Sequence, residues 1–400
     1  MAKEEIDEAQ RCTYVLPRKK RKCRMLVKAG ELFCGEHQIH NPENNDRIIC
    51  PNDPNHTVAV SELEEHLRER CNARITLEPW IIEGLNAVKR EVASFEPIDR
   101  RPNKEEIASV VARLLKMEEV DQFSQFSQLQ CDKIQDFLDC HEELGFVQRK
   151  HLIQQASIIG HMCASDLLNN TADTSILELG AGKAQLAYWM AKVAPHARFL
   201  LVDRSGSRNK YDNKALQENP SLNLRRLRCS IEHLDLSKVE IIQNCQSLVA
   251  VQKHFCGSAT DSGIRCLQNG ITRGLDLKGF VLAPCCHHKM RYEEYIGGKF
   301  LRQQGFDGEA DFSALRHIST WSVCGFEQTE TERLPSEVTS ELFENDWSDT
   351  FRARIGRRAK VLLEEGRVCH LKEFGYQVRL IEYVSAQISP ENLLLLGSKE

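Results

Sequence analysis

The sequence lacks several features that would place it in other broad classes of protein. Over 400 residues, no apolar run approaches the about 20 residues that span a bilayer. Met1–Gln10 is polar and acidic, without the apolar core of a signal peptide. An excess of positive charge is missing too, since the formal net charge is −5. We therefore expect an intracellular protein of the nucleus or cytoplasm, with no membrane association and no obligate protein partner.

A disulfide-stabilised scaffold is not expected either. The 16 cysteines are spread over the whole chain, and a reducing compartment would keep them as thiols. Hydrophobic residues make up 41% of the chain and charged residues 28%, which is typical of a globular protein. The cysteines near the N-terminus call for a different explanation.

Five cysteines and three histidines near the N-terminus form two consecutive sets with metal-ligand spacing. Zinc favours four thiolate or imidazole ligands, and closing such a site supplies folding energy that a short segment cannot obtain from its small core. We therefore predict two zinc ions. The first set is Cys12, Cys23, Cys34 and His37, and the second is Cys50, His56, His66 and Cys71.

Other assignments of these residues stay open. The eight residues could be scattered structural cysteines and surface histidines, and His40 could replace His37. The second set has local support, because Ser61 is typical of a helix start and the helix would carry His66 and Cys71 a little over one turn apart.

A basic segment lies between the first two ligands. Residues 11–28 carry eight Lys or Arg and no acid, including the run Arg18–Lys22. Such a run favours salt-dependent, sequence-independent contact with phosphates. It is also typical of a nuclear-localisation signal or of a solvated face.

From residue 175 the pattern changes to short apolar runs separated by helix-length segments, which predicts an α/β domain with a parallel sheet covered on both faces. Before it, residues 78–145 are charged and favour a helical connector, with an amphipathic helix at Lys104–Glu118. The last two runs could form an antiparallel pair. The predicted strands are Ile176–Leu179, Phe199–Val202, Leu224–Leu227, Leu248–Gln252, Phe280–Ala283, Val378–Tyr383 and Leu393–Leu396.

Ile176–Leu186 passes from a strand through a glycine turn, Gly180 and Gly182, into a helix. Glycines let the backbone approach a ligand closely, and Asp203 at the end of the next strand can accept hydrogen bonds from ribose hydroxyls. A dinucleotide site requires glycine where this chain has Gln185, so S-adenosylmethionine is the better fit. Glu178 suits a cofactor that carries an ammonium group. The alternative is an ordinary strand-to-helix turn.

Two strand ends are unusually polar, and ligands of such sheets lie beyond the carboxyl ends of the strands. Lys253 or His254 at the first end could accept the proton of a ribose hydroxyl. At the second end, Cys285 or Cys286 could supply a thiolate for methylation of a pyrimidine carbon. Residues 285–288 could instead bind metal, although adjacent ligands make a poor tetrahedral site.

The order of these features resembles the eukaryotic tRNA 2′-O-ribose methyltransferases that modify nucleotide four of the acceptor stem. The resemblance covers nearly the full chain. It rests on the two finger patterns, the glycine turn, and the segments Lys150–Ser157, Lys253–Asp261, Pro284–His288 and Ser389–Leu395.

The resemblance implies a CCCH zinc finger at residues 8–40, a CHHC zinc finger at 47–74 and a class I, Rossmann-like methyltransferase domain at 146–400. It also implies tRNA as partner. The chain departs from the family at Ala184, where glycine is usual, and at Ser230, where an acid often contacts the adenine region of the cofactor. Ser230 is still the expected cofactor contact at that place.

The sequence therefore predicts an S-adenosylmethionine-dependent tRNA ribose methyltransferase. One rival is an RNA cytosine-carbon methyltransferase that uses Cys285 or Cys286. Another is a zinc-finger RNA-binding adaptor whose methyltransferase-like domain is inactive. These hypotheses differ in where a methyl group is placed and in whether the cofactor binds.

Overall fold

The chain divides into two compact units, residues 1–77 and 78–400. The structure is a computed structural model that describes residues 11–16, 20–28, 30–44, 46–71, 78–88, 100–204, 211–243, 245–322 and 347–399, with only the backbone at 53–55. Each unit is considered by itself below. None of the cysteines in the described segments is in a disulfide.

The first unit consists of short elements around the two Cys/His sets. A two-stranded antiparallel sheet pairs β1 (Val15–Leu16) with β2 (Arg21–Lys22). A second antiparallel pair joins β3 (Arg47–Cys50) to β4 (Asp53–Ala59) and leads into α1 (Leu63–Glu65), which continues as a π-helical turn at His66–Arg70. In the part of this unit that holds the first Cys/His set, the buried core consists of Cys12, Cys23 and Cys34.

An eight-stranded mixed sheet organises the described part of the second unit, in the order β5-β11-β12-β10-β9-β6-β7-β8. Neighbours among β6 to β10 are parallel, β12 is antiparallel to both of its neighbours, and β5 is parallel to β11. The strands are β5 (Ser124–Phe126), β6 (Thr174–Leu179), β7 (Arg198–Asp203), β8 (Asn223–Arg228), β9 (Ser247–Cys256), β10 (Leu277–Cys285), β11 (Gln377–Glu382) and β12 (Leu393–Ser398).

Helices cover both faces of this sheet. Alternate residues of a strand point to opposite faces, so Leu177 and Leu179 enter one core while Ile176 enters the other. The first core includes side chains of α2, α8, α10 and α11, and the second includes side chains of α3 to α6. The helices are α2 (Lys104–Lys116), α3 (Asp132–Asp139), α4 (Phe146–Ala164), α5 (Gln185–Val193), α6 (Tyr211–Glu218), α7 (Glu240–Gln243), α8 (Ser258–Thr272), α9 (Gly298–Gln303), α10 (Gly308–Ile318) and α11 (Asp349–Glu373).

The seven strands predicted from apolar runs are confirmed, including the antiparallel pairing of the last two. The α/β class follows from them. In the described segments, no helix combines the length and apolarity needed to cross a bilayer. The predicted helix at Lys104–Glu118 is also confirmed as α2, whose start is closed by reciprocal bonds between Asn103 and Glu106.

The segment expected to be a helical connector differs from that expectation. β5 lies within it and extends the large sheet by pairing with β11. α2 is tied to the helices of the sheet, because Arg113 forms an ion pair with Asp311 of α10. Arg358 of α11 donates to the Leu114 carbonyl at the end of α2 over 3.0 Å. The described parts of this segment therefore belong to the domain that it was expected to precede.

Candidate active site and metal centres

The first predicted ligand set is brought together in the structure. The ligand atoms of Cys12, Cys23, Cys34 and His37 all lie within 4.8 Å of one another. His37 Nδ1 is 3.4 Å from Cys12 Sγ and 3.3 Å from Cys34 Sγ. The fourth member of the cluster is His37 and not His40, whose ring stacks on Tyr14 with 4.3 Å between the centroids.

The second set is equally compact. His66 Nε2 is 3.2 Å from Cys50 Sγ and 3.1 Å from His56 Nε2, and the sulfurs of Cys50 and Cys71 are 3.5 Å apart. The π-helical turn explains the last ligand. Its i to i+5 hydrogen bond, from the Cys71 amide to the His66 carbonyl, returns Cys71 to the side of His66.

Both clusters fit a tetrahedral zinc ion. Zn–S bonds of about 2.3 Å and Zn–N bonds of about 2.0–2.1 Å separate the ligand atoms of a tetrahedron by about 3.3–3.8 Å. The contacts above, with 3.8 Å between Cys71 Sγ and His56 Nε2, fall close to this range. Thiolate and imidazole donors are also the ligands that structural zinc prefers.

The two fingers are joined by a small polar contact within the first unit. The Thr57 hydroxyl donates to the Gly35 carbonyl over 3.0 Å, and its amide donates to Glu36 over 2.9 Å. Arg47 donates to the Thr57 carbonyl over 2.9 Å. Of the basic run Arg18–Lys22, the first two residues lie outside the described residues, and Arg21 and Lys22 form β2.

The predicted glycine turn lies at the carboxyl end of β6. Gly180 and Gly182 have positive φ angles of 68° and 49°. A Cβ on Gly180 would be 2.7 Å from the Phe255 ring, so this position requires glycine for space as well as conformation. The Gly182 amide donates to Asp203 over 2.8 Å, which fixes the carboxylate at the end of β7 beside the turn.

Ala184 ends the same turn with a φ of 60°, at the position where the resemblance described above leads one to expect glycine. A left-handed conformation costs an alanine about 1 kcal/mol. The methyl group is fully buried, and burial of a methyl group contributes a similar amount in the opposite direction. The departure at this position is therefore compatible with the turn.

Glu178 is buried in β6, one residue before the end of the strand, and burial raises the pKa of its carboxyl group to about 8. One of its two oxygens has no hydrogen-bond partner among the residues described. A buried carboxyl group that lacks a partner suits a ligand that brings a donor, such as an ammonium group. Ser230 follows β8, the strand beside β7. Arg228 at the end of β8 pairs with Asp203 at the end of β7, so Ser230 lies at the same edge of the sheet as Asp203.

Lys253 lies near the end of β9, and its amine is 3.4 Å from His151 Nδ1 of α4. Burial lowers the pKa of Lys253 to about 8, and the nearby Glu178 only partly opposes this shift. Burial also lowers the pKa of His151. A lysine that loses its proton near neutral pH can act as a general base.

His254 adopts a left-handed backbone conformation, with a φ of 62°. Its Nε2 is 3.3 Å from the side-chain oxygen of Gln154, and burial lowers its pKa to about 4. A strained backbone persists where the surroundings enforce it, which is frequent at functional sites. His254 is thus a neutral imidazole that donates to a glutamine.

The second polar strand end is mainly structural. His287 Nε2 is 2.8 Å from Glu364, and Nδ1 is 3.5 Å from Glu391. Burial alone would lower the pKa of His287, but the two carboxylates raise it. His287 therefore does not join Cys285 and Cys286 as a metal ligand, and the third thiol of that cluster is Cys256.

His151 and Gln154 were not among the predicted site residues. Their signal was present in the sequence, since Lys150–Ser157 is a segment of the family resemblance and polar residues interrupt a buried helix there. Gln154 and Gln155 are 4% and 3% exposed. Their position beside β9 could not be read from the local sequence because it depends on the packing of α4 on the sheet.

A mixed α/β sheet with parallel central strands, a glycine turn, an acid at the next strand end and a low-pKa lysine nearby is typical of a Rossmann-like, cofactor-dependent enzyme. The family model described as "Methyltransferase TRM13" matches residues 153–398, more than half of the chain. The chain belongs to this methyltransferase family. Models described as "CCCH zinc finger in TRM13 protein" and "U11-48K-like CHHC zinc finger" match residues 10–38 and 47–72.

The similarity to known proteins covers nearly the whole chain. A human protein named "tRNA:m(4)X modification enzyme TRM13 homolog" is 29% identical over 96% of this chain and 94% of its own length. A protein of Yarrowia lipolytica named "tRNA:m(4)X modification enzyme TRM13" is 30% identical over 97% of this chain and 90% of its own. Among solved structures, plantazolicin methyltransferase BpumL in complex with SAH is 12% identical, with a TM-score of 0.30 over 74% of this chain and 98% of its own.

Proposed function

We propose that this chain transfers a methyl group from S-adenosylmethionine to the 2′-hydroxyl of nucleotide four in the acceptor stem of tRNA. The observation that carries the proposal is Lys253, a lysine with a pKa of about 8 beside the glycine turn. The relatives named as tRNA:m(4)X modification enzymes support tRNA and position four. The nucleus and cytoplasm are the compartments that this function predicts.

The residues around the turn divide into two groups in this proposal. S-adenosylmethionine supplies an electrophilic methyl group. Asp203 accepts hydrogen bonds from the ribose hydroxyl groups of the cofactor, and Glu178 faces the ammonium group of the cofactor. The turn at Gly180 and Gly182 lets the backbone approach the cofactor closely. Ser230 lies on the side of the adenine.

Lys253 and His254 act on the RNA side. The neutral amine of Lys253 accepts the proton of the 2′-hydroxyl as the oxygen becomes a nucleophile. The same amine lies 3.4 Å from His151 Nδ1, and this contact with α4 holds Lys253 at the end of β9. We assign His254 to the positioning of the ribose, because its strained backbone and Gln154 hold its ring in one orientation.

The zinc fingers bind the RNA in this proposal. Each of them is too small to form an apolar core, and zinc holds the hairpin that carries Arg21 and Lys22 of the basic run. Phosphate contacts of this kind position a nucleic acid without reading its sequence. The fingers at residues 8–40 and 47–74 would hold the stem while the domain that follows them presents the methyl group.

In the reduced protein the thiols of the second strand end are held in the protonated form, which does not suit the base-methylating alternative. A hydrogen bond with Cys256, together with burial, raises the pKa of Cys285, and burial raises that of Cys286. Carbon methylation of a pyrimidine requires a thiolate. The alkylation of a ribose oxygen does not.

The test is methylation of bulk tRNA with labelled S-adenosylmethionine, followed by digestion and nucleotide mapping. We expect the label on the ribose of nucleotide four. Label on a base would overturn the ribose assignment, and tRNA containing 5-fluorocytidine would then trap a covalent adduct. Calorimetry with S-adenosylmethionine tests the adaptor alternative, since an inactive adaptor need not bind it.

A further inference from the structure

Three cysteine sulfurs meet where β9 and β10 end. The sulfurs of Cys256, Cys285 and Cys286 lie within 4.8 Å of one another. Those of Cys256 and Cys285 are 3.4 Å apart. The two strands are parallel, and their register places Cys285 directly beside Cys256. This arrangement is fixed by the sheet rather than by a loop.

The two closest thiols differ in environment. Cys256 is exposed, whereas Cys285 is buried. The hydrogen bond from Cys285 lowers the pKa of Cys256 to about 6 even though partial burial opposes the shift. Thiols that are both accessible and ionised react with oxidants, and redox-sensitive cysteines often have a second thiol next to them. Cys256 and Cys285 show this combination.

We propose that Cys256 and Cys285 form a reversible disulfide when the protein meets a peroxide. Neighbouring strands are about 4.8 Å apart, which is within the Cα separation of about 4.4–6.8 Å that disulfides require. The side chains already point toward each other, so only a small displacement closes the bond. The proposal concerns a modification site and does not depend on the identity of the RNA.

The chemistry has two steps. The Cys256 thiolate attacks one peroxide oxygen, so that an S–O bond forms, the O–O bond breaks and hydroxide leaves. The Cys285 thiol then attacks the Cys256 sulfur, an S–S bond forms, the S–O bond breaks and the departing hydroxide takes the Cys285 proton as water. With the proton that Cys256 had released, one peroxide is reduced to two waters and two thiols are oxidised to one disulfide.

The disulfide would alter the site that holds the RNA ribose. Lys253 and His254 precede Cys256 on the same strand, and the Gly257 amide donates to the Cys285 carbonyl over 2.9 Å. A Cβ on Gly257 would be 2.7 Å from the Lys289 backbone, so the two strand ends are tightly interlocked. Shortening the distance between the sulfurs from 3.4 Å to about 2.05 Å shifts the ends of β9 and β10. The reaction rate falls steeply when catalytic groups are displaced.

The test exposes the full-length, zinc-loaded protein to hydrogen peroxide, blocks the remaining thiols and digests it with trypsin. Cleavage after lysine and arginine releases residues 254–265, with Cys256, and residues 279–289, with Cys285 and Cys286. We expect these two peptides to be linked by a bond that dithiothreitol reverses. The link should persist in Cys286→Ser and disappear in Cys285→Ser.

Activity is measured for each protein relative to its own reduced state, and this readout alone rests on the proposed function. We expect a loss of about tenfold in wild type that dithiothreitol restores, and little loss in Cys256→Ser. Cys140→Ser is the matched control, because Cys140 is also exposed. It should behave as wild type does.

Three results would overturn the proposal. The first is that no linked peptides form. The second is that the link persists in Cys285→Ser, which would make Cys286 the partner. The third is that the purified protein holds a third metal ion that Cys256→Ser loses, which would make the cluster a metal site. Equal activity loss in Cys256→Ser would overturn the link between this disulfide and methylation, whereas failure of methylation in every reduced protein would count against the proposed function only.

Discussion

At the scale of single residues, burial acts in opposite directions on the two ionisable groups beside the glycine turn. It raises the pKa of Glu178 to about 8 and lowers that of Lys253 to about 8. Both shifts favour the neutral form, because a low dielectric penalises either charge. The protein therefore presents weakly charged partners to a ligand that brings its own charges.

The pH dependence of methyl transfer should report the state of Lys253. A lysine base must be unprotonated, so the single-turnover rate should rise about tenfold per pH unit below about pH 8 and level off above it. Lys253→Ala should lose this dependence and about 100- to 10,000-fold in rate. Lys278→Ala is the control. Lys278 lies at the amino end of β10, away from the strand ends that form the site, so this variant should keep the wild-type pH profile. A Lys253→Ala rate that retains the wild-type profile would remove the lysine from the role of base.

Asp203 should determine the affinity for the cofactor. Asp203→Ala removes charge-assisted bonds to the ribose and should weaken binding of S-adenosylmethionine by about 1–3 kcal/mol in calorimetry. Asp173→Ala, an exposed position just before β6, should bind as wild type does. Equal affinities in the two variants would show that the cofactor lies elsewhere.

At the scale of elements, a chain of alternating charges joins the polar strand end to the helices around it. It begins on α8, passes through α11 to the turn after β10 and the loop before β12, and ends back on α11. Five of its six members are buried side chains. In order of contact they are Asp261, Arg367, Glu364, His287, Glu391 and Lys360.

Arg367 is the member whose loss should cost most, since it bonds Asp261 and Glu364 at once. Arg367→Met removes the cation that two buried carboxylates share, and we expect about 3–5 kcal/mol less stability in urea unfolding. Arg302→Met, an exposed site on α9, should change stability by less than about 0.5 kcal/mol. A small effect of Arg367→Met would mean that the carboxylates take up protons or other partners.

Sequence patterns predicted those elements whose burial is periodic or continuous. β6 was recognised because all six residues are buried, as expected for a central parallel strand. β5 was missed because it is a three-residue edge strand that exposes Phe126 and becomes a strand only through β11. The two Cys/His clusters could be predicted from spacing alone, whereas the pairing of Cys256 with Cys285 depends on the register of strands joined by a long crossover.

At the scale of the whole molecule, the two units should respond separately to loss of metal. Metal analysis of the purified protein should give two zinc ions per chain. Cys50→Ala should lower this to about one and unfold the second finger, because structural zinc supplies the folding energy of such modules. The domain from residue 78 onward should keep its thermal transition and its affinity for S-adenosylmethionine. One ion or none in wild type would contradict the two-site assignment.

The basic run should affect RNA binding and leave the cofactor site unchanged. Replacing Arg18–Lys22 by alanine should raise the Michaelis constant for tRNA and flatten its dependence on salt, since fewer counterions are released on binding. Affinity for S-adenosylmethionine is the internal control. An unaltered salt slope would restrict the run to a targeting signal.

The position of β12 has a consequence for synthesis on the ribosome. This strand is the last one described, yet it lies between β10 and β11, and β5 reaches the sheet only through β11. The ribosome adds about 5–20 residues per second, so β12 is synthesised on the order of tens of seconds after β5. Until then, β11, the partner of β5, is not connected to the rest of the sheet. Meanwhile the apolar face of α2, with Val110, Val111 and Leu114, lacks its final cover from α11. We expect the nascent chain to depend on chaperones until translation has passed β12.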